Sequence, residues 1–256
     1  MGFRYNDILQ LPERCLLDRK LTKAFFLKNF KLSAAEKKLL NTGIQSMEWL
    51  ASIKPSNANI QVLKNENYVY DELQVMVCTL PNNQMEASSK RCIELFQKYI
   101  PYQMLVIVED EVSFIMNTCD KRVNQNDKSL RTIEGYFTTL PISKLYKNEL
   151  SSSFYKALEF SKLDKTNLET TYKGFVKAVV QYQAASLTGS FHNRTQKRTE
   201  EDMAFLLAIE AVEKEIVSLK SQLKKESQLN SKVTLNVAIQ KKREDIKKIK
   251  SKLNSI

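Results

Sequence analysis

Two acidic stretches lie beside predicted strands, Asp71-Glu72-Leu73-Gln74 and Glu109-Asp110-Glu111. Hydrolysing a phosphodiester with a divalent metal needs carboxylates to hold the ion and a nearby lysine to stabilise the transition state. Glu72 and Gln74 stand two residues apart where a strand is predicted to begin, so both side chains face one side of it. The preceding segment offers only the neutral amides Asn57, Asn59 and Gln61, which bind Mg²⁺ poorly compared with carboxylates. The run at 109–111 is explained by a solvated turn, because three consecutive residues cannot all face one ion. His192 is the single histidine. It rules out a multi-histidine metal site and reads as solvent-exposed. Cys15, Cys78, Cys92 and Cys119 contain no C-x-x-C pair and read as small buried hydrophobes. Neither glycine-rich phosphate motif occurs, and the chain has only five glycines. No cofactor and no metal are expected.

The basic residues carry more weight. The formal charge is +11, and it is unevenly distributed. Residues 1–60 carry +5, residues 61–150 carry −2, and residues 151–200 and 201–256 carry +4 each. Arg194, Lys197 and Arg198 cluster in a polar stretch, and Lys241, Arg243, Lys247, Lys248 and Lys250 crowd the last predicted helix. Such groups can neutralise phosphates in a salt-dependent, sequence-blind way. Lys-rich faces are equally ordinary on exposed coiled coils, where they confer solubility.

The elements that must position these residues read as follows. Ser33-Ala34-Ala35-Glu36 is a capping-box pattern, and Leu39, Leu40, Ile44, Met47, Trp49, Leu50 and Ile53 predict a helix running to Pro55. Ile60, Val62, Val69, Leu73, Val75 and Val77 alternate as strands do, with a turn at Asn65-Glu66-Asn67. A helix of about fifteen residues follows Leu80-Pro81 and stops at Pro101. Met104 to Val108 reads as a strand buried on both faces, and Val112 to Thr118 as the strand returning from it. Thr132 to Leu140 is either one more strand or an arm over the sheet. Two amphipathic helices are expected over residues 150–163 and 167–185. Phe205, Ile209, Val212, Ile216, Leu219 and Leu223 are spaced 4, 3, 4, 3, 4. The pattern resumes at Leu235, Ile239, Lys242, Ile246, Ile249, Leu253 and Ile256 after a polar break. The two arms predict an antiparallel coiled-coil hairpin; a parallel homodimer or docking on a partner's helices are the competing arrangements.

The expected class is α+β: N-terminal helices, a small mixed-sheet α/β domain in α-β-β-α-β-β order, and the C-terminal hairpin. The expected divisions are residues 1–58, 59–146, a helical pair at 147–186, a linker at 187–198 and the hairpin at 199–256. No apolar run is long enough for a membrane span or secretory signal, and Asn6 stands where myristoylation after Met1-Gly2 would want Ser or Thr. A cytoplasmic location is expected.

The α-β-β-α-β-β order loosely resembles the core of PD-(D/E)XK nucleases, whose second acidic residue lies on a strand as E-x-K or E-x-Q. That resemblance places Glu72 and Gln74 at the E-x-Q position and makes them the catalytic candidates. Four further stretches resemble an uncharacterised bacterial family catalogued as domain of unknown function 4391. They are Leu11-Pro12, Ile44 to Trp49 running to Lys54-Pro55, Glu72 to Val75, and Ile100-Pro101-Tyr102-Gln103. The family resemblance implies a genetic setting beside DNA methyltransferases and helicases of restriction-modification and phage-defence loci, and defines no catalytic residue. The function expected is thus a non-catalytic accessory subunit docking on a helicase or methyltransferase, with contact to DNA or RNA backbone. The alternatives are a divergent or degenerate metal-dependent nuclease and a non-specific nucleic-acid-binding protein.

Overall fold

In the computed structural model, which describes residues 3–128 and 130–254, short elements alternate from the start. They are α1 (Asn6–Leu9), β1 (Leu16–Lys20), α2 (Lys23–Asn29), α3 (Ala34–Lys38) and β2 (Ser46–Ile53). After α4 (Pro55–Ala58), β3 (Leu63–Lys64) and β4 (Val69–Tyr70) pair as a small ribbon around the Asn65–Asn67 turn. Next come β5 (Leu73–Thr79), α5 (Met85–Tyr99), β6 (Gln103–Glu109), β7 (Ser113–Val123), β8 (Arg131–Thr138) and β9 (Ile142–Ser143). The chain continues through α6 (Glu149–Leu158), α7 (Leu168–Thr188), α8 (Gln196–Lys225) and α9 (Leu229–Asn254). Met1-Gly2 and Ile256 lie outside the described residues. The chain divides into two compact units, Met1–Gln183 and Ala184–Ile256.

In the first unit the sheet order is β1-β2-β5-β6-β7-β8, with β9 pairing on β7. Among the named strand pairs only β5 and β6 are parallel, and the fifteen-residue helix α5 between them carries the chain back to the starting end of the sheet. Pro101 follows α5 and starts the turn into β6, as expected. Both faces of β6 are covered. On one, Met104, Val106 and Val108 join Cys92, Ile93, Leu95 and Phe96 of α5 in the main core. On the other, the Tyr172 hydroxyl of α7 donates to the Cys119 carbonyl at 2.6 Å, and Tyr155 of α6 stacks on Phe114 of β7 at 6.5 Å. Residues 131–138 form a full strand on β7.

Several expectations are corrected. The Ser33–Glu36 capping box forms, each side chain reaching the other's backbone N–H, but the helix ends after a wide turn at Leu39–Gly43. Residues 46–53 are strand β2, between β1 and β5. Met47, Leu50, Ala51 and Ile53 are all buried, and a strand buried on both faces has no polar alternation to tell it from a helix. A bulge between Trp49 and Ala51 breaks the remaining period of two. Residues 1–58 are therefore part of the sheet unit. The 147–186 pair also joins that unit up to Gln183. The charged strand β1, mostly exposed, forms the sheet's edge and discourages pairing with another chain.

In the second unit α7 ends at Gly189, whose φ of 88° suits glycine. The expected 187–198 linker shrinks to residues 189–195. α8 and α9 pack as the antiparallel hairpin. Ile209, Ile216, Ile239 and Leu253 are buried in its seam. Phe205, Val212, Leu219, Leu223, Leu235, Ile246 and Ile249 are half-buried along it. Lys242 occupies a seam position but carries its amine out to Glu215.

Candidate functional site

The leading ends of β5 and β6 hold the sequence-predicted catalytic candidates. Glu72 immediately precedes β5, and Gln74 lies opposite Ser52 in the β2–β5 register. The Ser52 hydroxyl and the Gln74 amide, the latter at 2.5 Å, both donate to one Glu72 oxygen. Asp71 is engaged by Lys64 at 3.1 Å. The strand beside β5 is therefore β2, and the group it brings to Glu72 is Ser52, not Asn57, Asn59 or Gln61. Asn57 instead braces the backbone, donating to the Ser52 carbonyl at 2.8 Å and accepting from Lys54 N–H at 2.9 Å. Among the described residues no group of three or more His, Cys, Asp or Glu is arranged to hold a metal ion. The arrangement solvates one carboxylate with neutral dipoles.

A second charge at this end was not legible in the sequence. Lys121 of β7 is fully buried, and its ammonium donates at 2.7 Å to the carbonyls of Ile100 and Tyr102. Burial lowers its pKa to about 8, since no carboxylate replaces the lost water. Ile100 is the residue after α5, so the amine ties off that helix's C-terminal end. Its only sequence signal is a charge in an otherwise buried strand.

The far ends of the same strands are built differently. Glu109 is not in a solvated turn: its carboxylate accepts from the Thr79 hydroxyl at 2.9 Å and the Tyr5 hydroxyl at 2.5 Å, and pairs with Lys144 at 2.5 Å. The Tyr5 pKa is driven up, first by burial and then by the adjacent carboxylate. Asp110 is buried and accepts from the Val112 and Ser113 N–H groups, while Glu111 meets Asn82 at 2.8 Å. The three acids point to three different tasks, as their consecutive positions required, but two of them are structural and shielded.

The basic residues also divide. Arg194 and Arg198 are committed inside the hairpin. Arg194 donates to the Leu253 carbonyl at 2.9 Å and Arg198 to the Lys252 carbonyl at 2.6 Å, holding the last turn of α9. Both guanidiniums flank the buried Asp202, at 3.5 and 3.0 Å. Burial raises the Asp202 pKa against the pull of the two arginines. Lys197, Lys241, Arg243, Lys247 and Lys248 are exposed, and Lys250 is half-buried. At roughly 100° per residue, Arg243, Lys247 and Lys250 share one flank of the α9 seam while Lys241 and Lys248 fall on another. His192 is half-buried. All four cysteines are free and buried. No helix among the described residues is long and apolar enough to cross a membrane.

The family described as "Domain of unknown function (DUF4391)" matches residues 9–246. Nothing matches among curated proteins or among solved structures.

Proposed function

We propose that this chain, which belongs to the DUF4391 family, is a non-catalytic docking subunit of a bacterial DNA-modification or phage-defence assembly. Its partner in this reading is a helicase or methyltransferase. One observation carries the proposal. The hairpin fills its own seam, yet Leu229, Val233 and Val237 stand 75%, 56% and 63% exposed on α9. They recur every four residues, so they make one apolar stripe along the outer surface of α9. Exposed apolar stripes of this kind mark surfaces that another protein covers, and an amphipathic helix is the partner element that fits. The polarity of the Glu72 environment supports the same reading: a carboxylate satisfied by Ser52 and Gln74 is suited to holding β2 on β5.

Arg243, Lys247 and Lys250 add a sequence-blind contact to nucleic-acid backbone. Affinity through them falls steeply with salt, and charge reversal of Lys247 and Lys250 weakens it on every sequence alike.

The test is co-expression of the tagged chain with its neighbouring genes. Recovery of a helicase or methyltransferase that is lost in Val233→Glu/Val237→Glu, with the hairpin still folded by circular dichroism, is the expected result. A chain that recovers neither enzyme removes the proposal.

A further inference from the structure

Beyond the Glu109 network, the first unit holds an open cavity of about 460 Å³ between α1, the segment after β9 and α6. That is the size of an ordinary small-ligand pocket. Its apolar wall includes Phe3 and Tyr155, and behind them Phe114 lies 5.3 Å from the Phe3 ring and 6.5 Å from the Tyr155 ring. The Tyr155 side chain is buried, and its hydroxyl has no hydrogen-bond partner among the described residues. At the rim, Leu145 and Tyr146 are held out in water at 77% and 68% exposure. Large apolar side chains so placed gain by closing over a planar group.

The charges around this cavity are unequal. Lys144 is neutralised by Glu109, and Glu159 by Lys162 at 2.8 Å. Arg4, Lys147 and Lys156 line the cavity and form no ion pair among the described residues, against the single carboxylate of Asp7. The Lys147 amine stands 5.5 Å from the centroid of the Tyr155 ring, a cation held over an aromatic face. Fixing the segment after β9 falls to Lys144, which donates to the Asp110 carbonyl at 2.6 Å and so places Lys147 nearby.

We propose that this cavity binds a nucleoside phosphate, the base lying against Phe3, Tyr146 and Tyr155 and the phosphate meeting Arg4, Lys147 and Lys156. A ligand joining a planar ring to a compact anion satisfies both halves of the site. Inorganic phosphate or a bare nucleoside satisfies only one. The site is independent of whether the hairpin docks a partner.

Isothermal titration of the full chain with AMP, GMP, UMP and CMP, with inorganic phosphate and adenosine as controls, tests the assignment. At least one nucleotide is expected to bind saturably, roughly tenfold or more tighter than either control. Lys147→Glu/Lys156→Glu should weaken it at least about tenfold and Tyr146→Ala by several-fold, both with unchanged melting temperature. Arg4→Ala repeats the charge test should the double variant unfold. Lys220→Glu/Lys224→Glu, exposed on α8, should leave binding unchanged. Absence of saturable binding up to about 1 mM, equal binding of phosphate alone, or undiminished binding in both charge variants overturns the proposal.

Discussion

The two ends of the parallel strands β5 and β6 handle buried charge in opposite ways. At the leading end, Glu72 and Lys121 carry opposite charges but are not paired with one another. Neutral donors surround Glu72, and Lys121 is held by two backbone carbonyls. At the far end, Glu109 and Lys144 meet directly, with Tyr5 and Thr79 completing the carboxylate's shell. A charge solvated by dipoles alone stays costly and shifts its own pKa, as Lys121 does. A direct pair resists the loss of either member. The leading end therefore braces β2 and α5 against the sheet, and the far end anchors the N-terminal segment and leaves cations over for a ligand.

Substitutions can break this contrast. Glu109→Gln is expected to have the largest effect, about 3 kcal/mol of destabilisation in urea unfolding at neutral pH, because Lys144 is left shielded without its anion. An effect near zero would mean that Lys144 reaches water and the two ends are alike.

Lys121 comes next, and its signature is pH dependence. In the unfolded chain this lysine keeps its proton until about 10.5; in the folded chain it releases it at about 8. Between those values the unfolded state binds more protons, so stability rises with pH. The gain is on the order of 2–3 kcal/mol across that window, and it should vanish in Lys121→Met when unfolding is compared at pH 7.5 and pH 10. A Lys121→Met profile parallel to that of the wild type would place the charge elsewhere.

A smaller acid-side effect belongs to Glu36. Its pKa is lowered to about 2: hydrogen bonds from Lys98, Ser33 and Tyr99 outweigh burial, which acts to raise it. The stability it contributes is complete above its ordinary value of 4.5 and is lost as pH falls toward 2. Glu36→Gln should cost about 1 kcal/mol at pH 7, the scale of a capping interaction, and flatten the acid limb of the unfolding profile.

The smallest effect is expected at Glu72. Glu72→Gln keeps an acceptor for Ser52 and Gln74 and should change stability by less than about 1 kcal/mol. A several-fold larger loss would show that the carboxylate balances a charge, as the far end does.

Much of the architecture was legible because its signals are local. The fifteen residues of α5, the proline after it and the apolar run of β6 follow each other without interruption. The heptads of the hairpin declare their seam through spacing alone. β2 carries a helix-like pattern because burial on both faces and a bulge erase its period of two. The sites were less legible still. Ser52 stands twenty residues from Glu72, and Tyr5 is separated from Glu109 by most of the first unit. Arg194 and Arg198 look like an exposed basic cluster until α9 returns to place its last carbonyls beside them.

The sequence by itself determined the helical crossover, the hairpin and the cysteines' burial, since each depends on residue type and near-neighbour spacing. Tertiary structure alone decided which charges are shared and which remain available. Pairing depends on distances between strands and helices far apart in the chain, and burial raises the energy of whatever charge is left over.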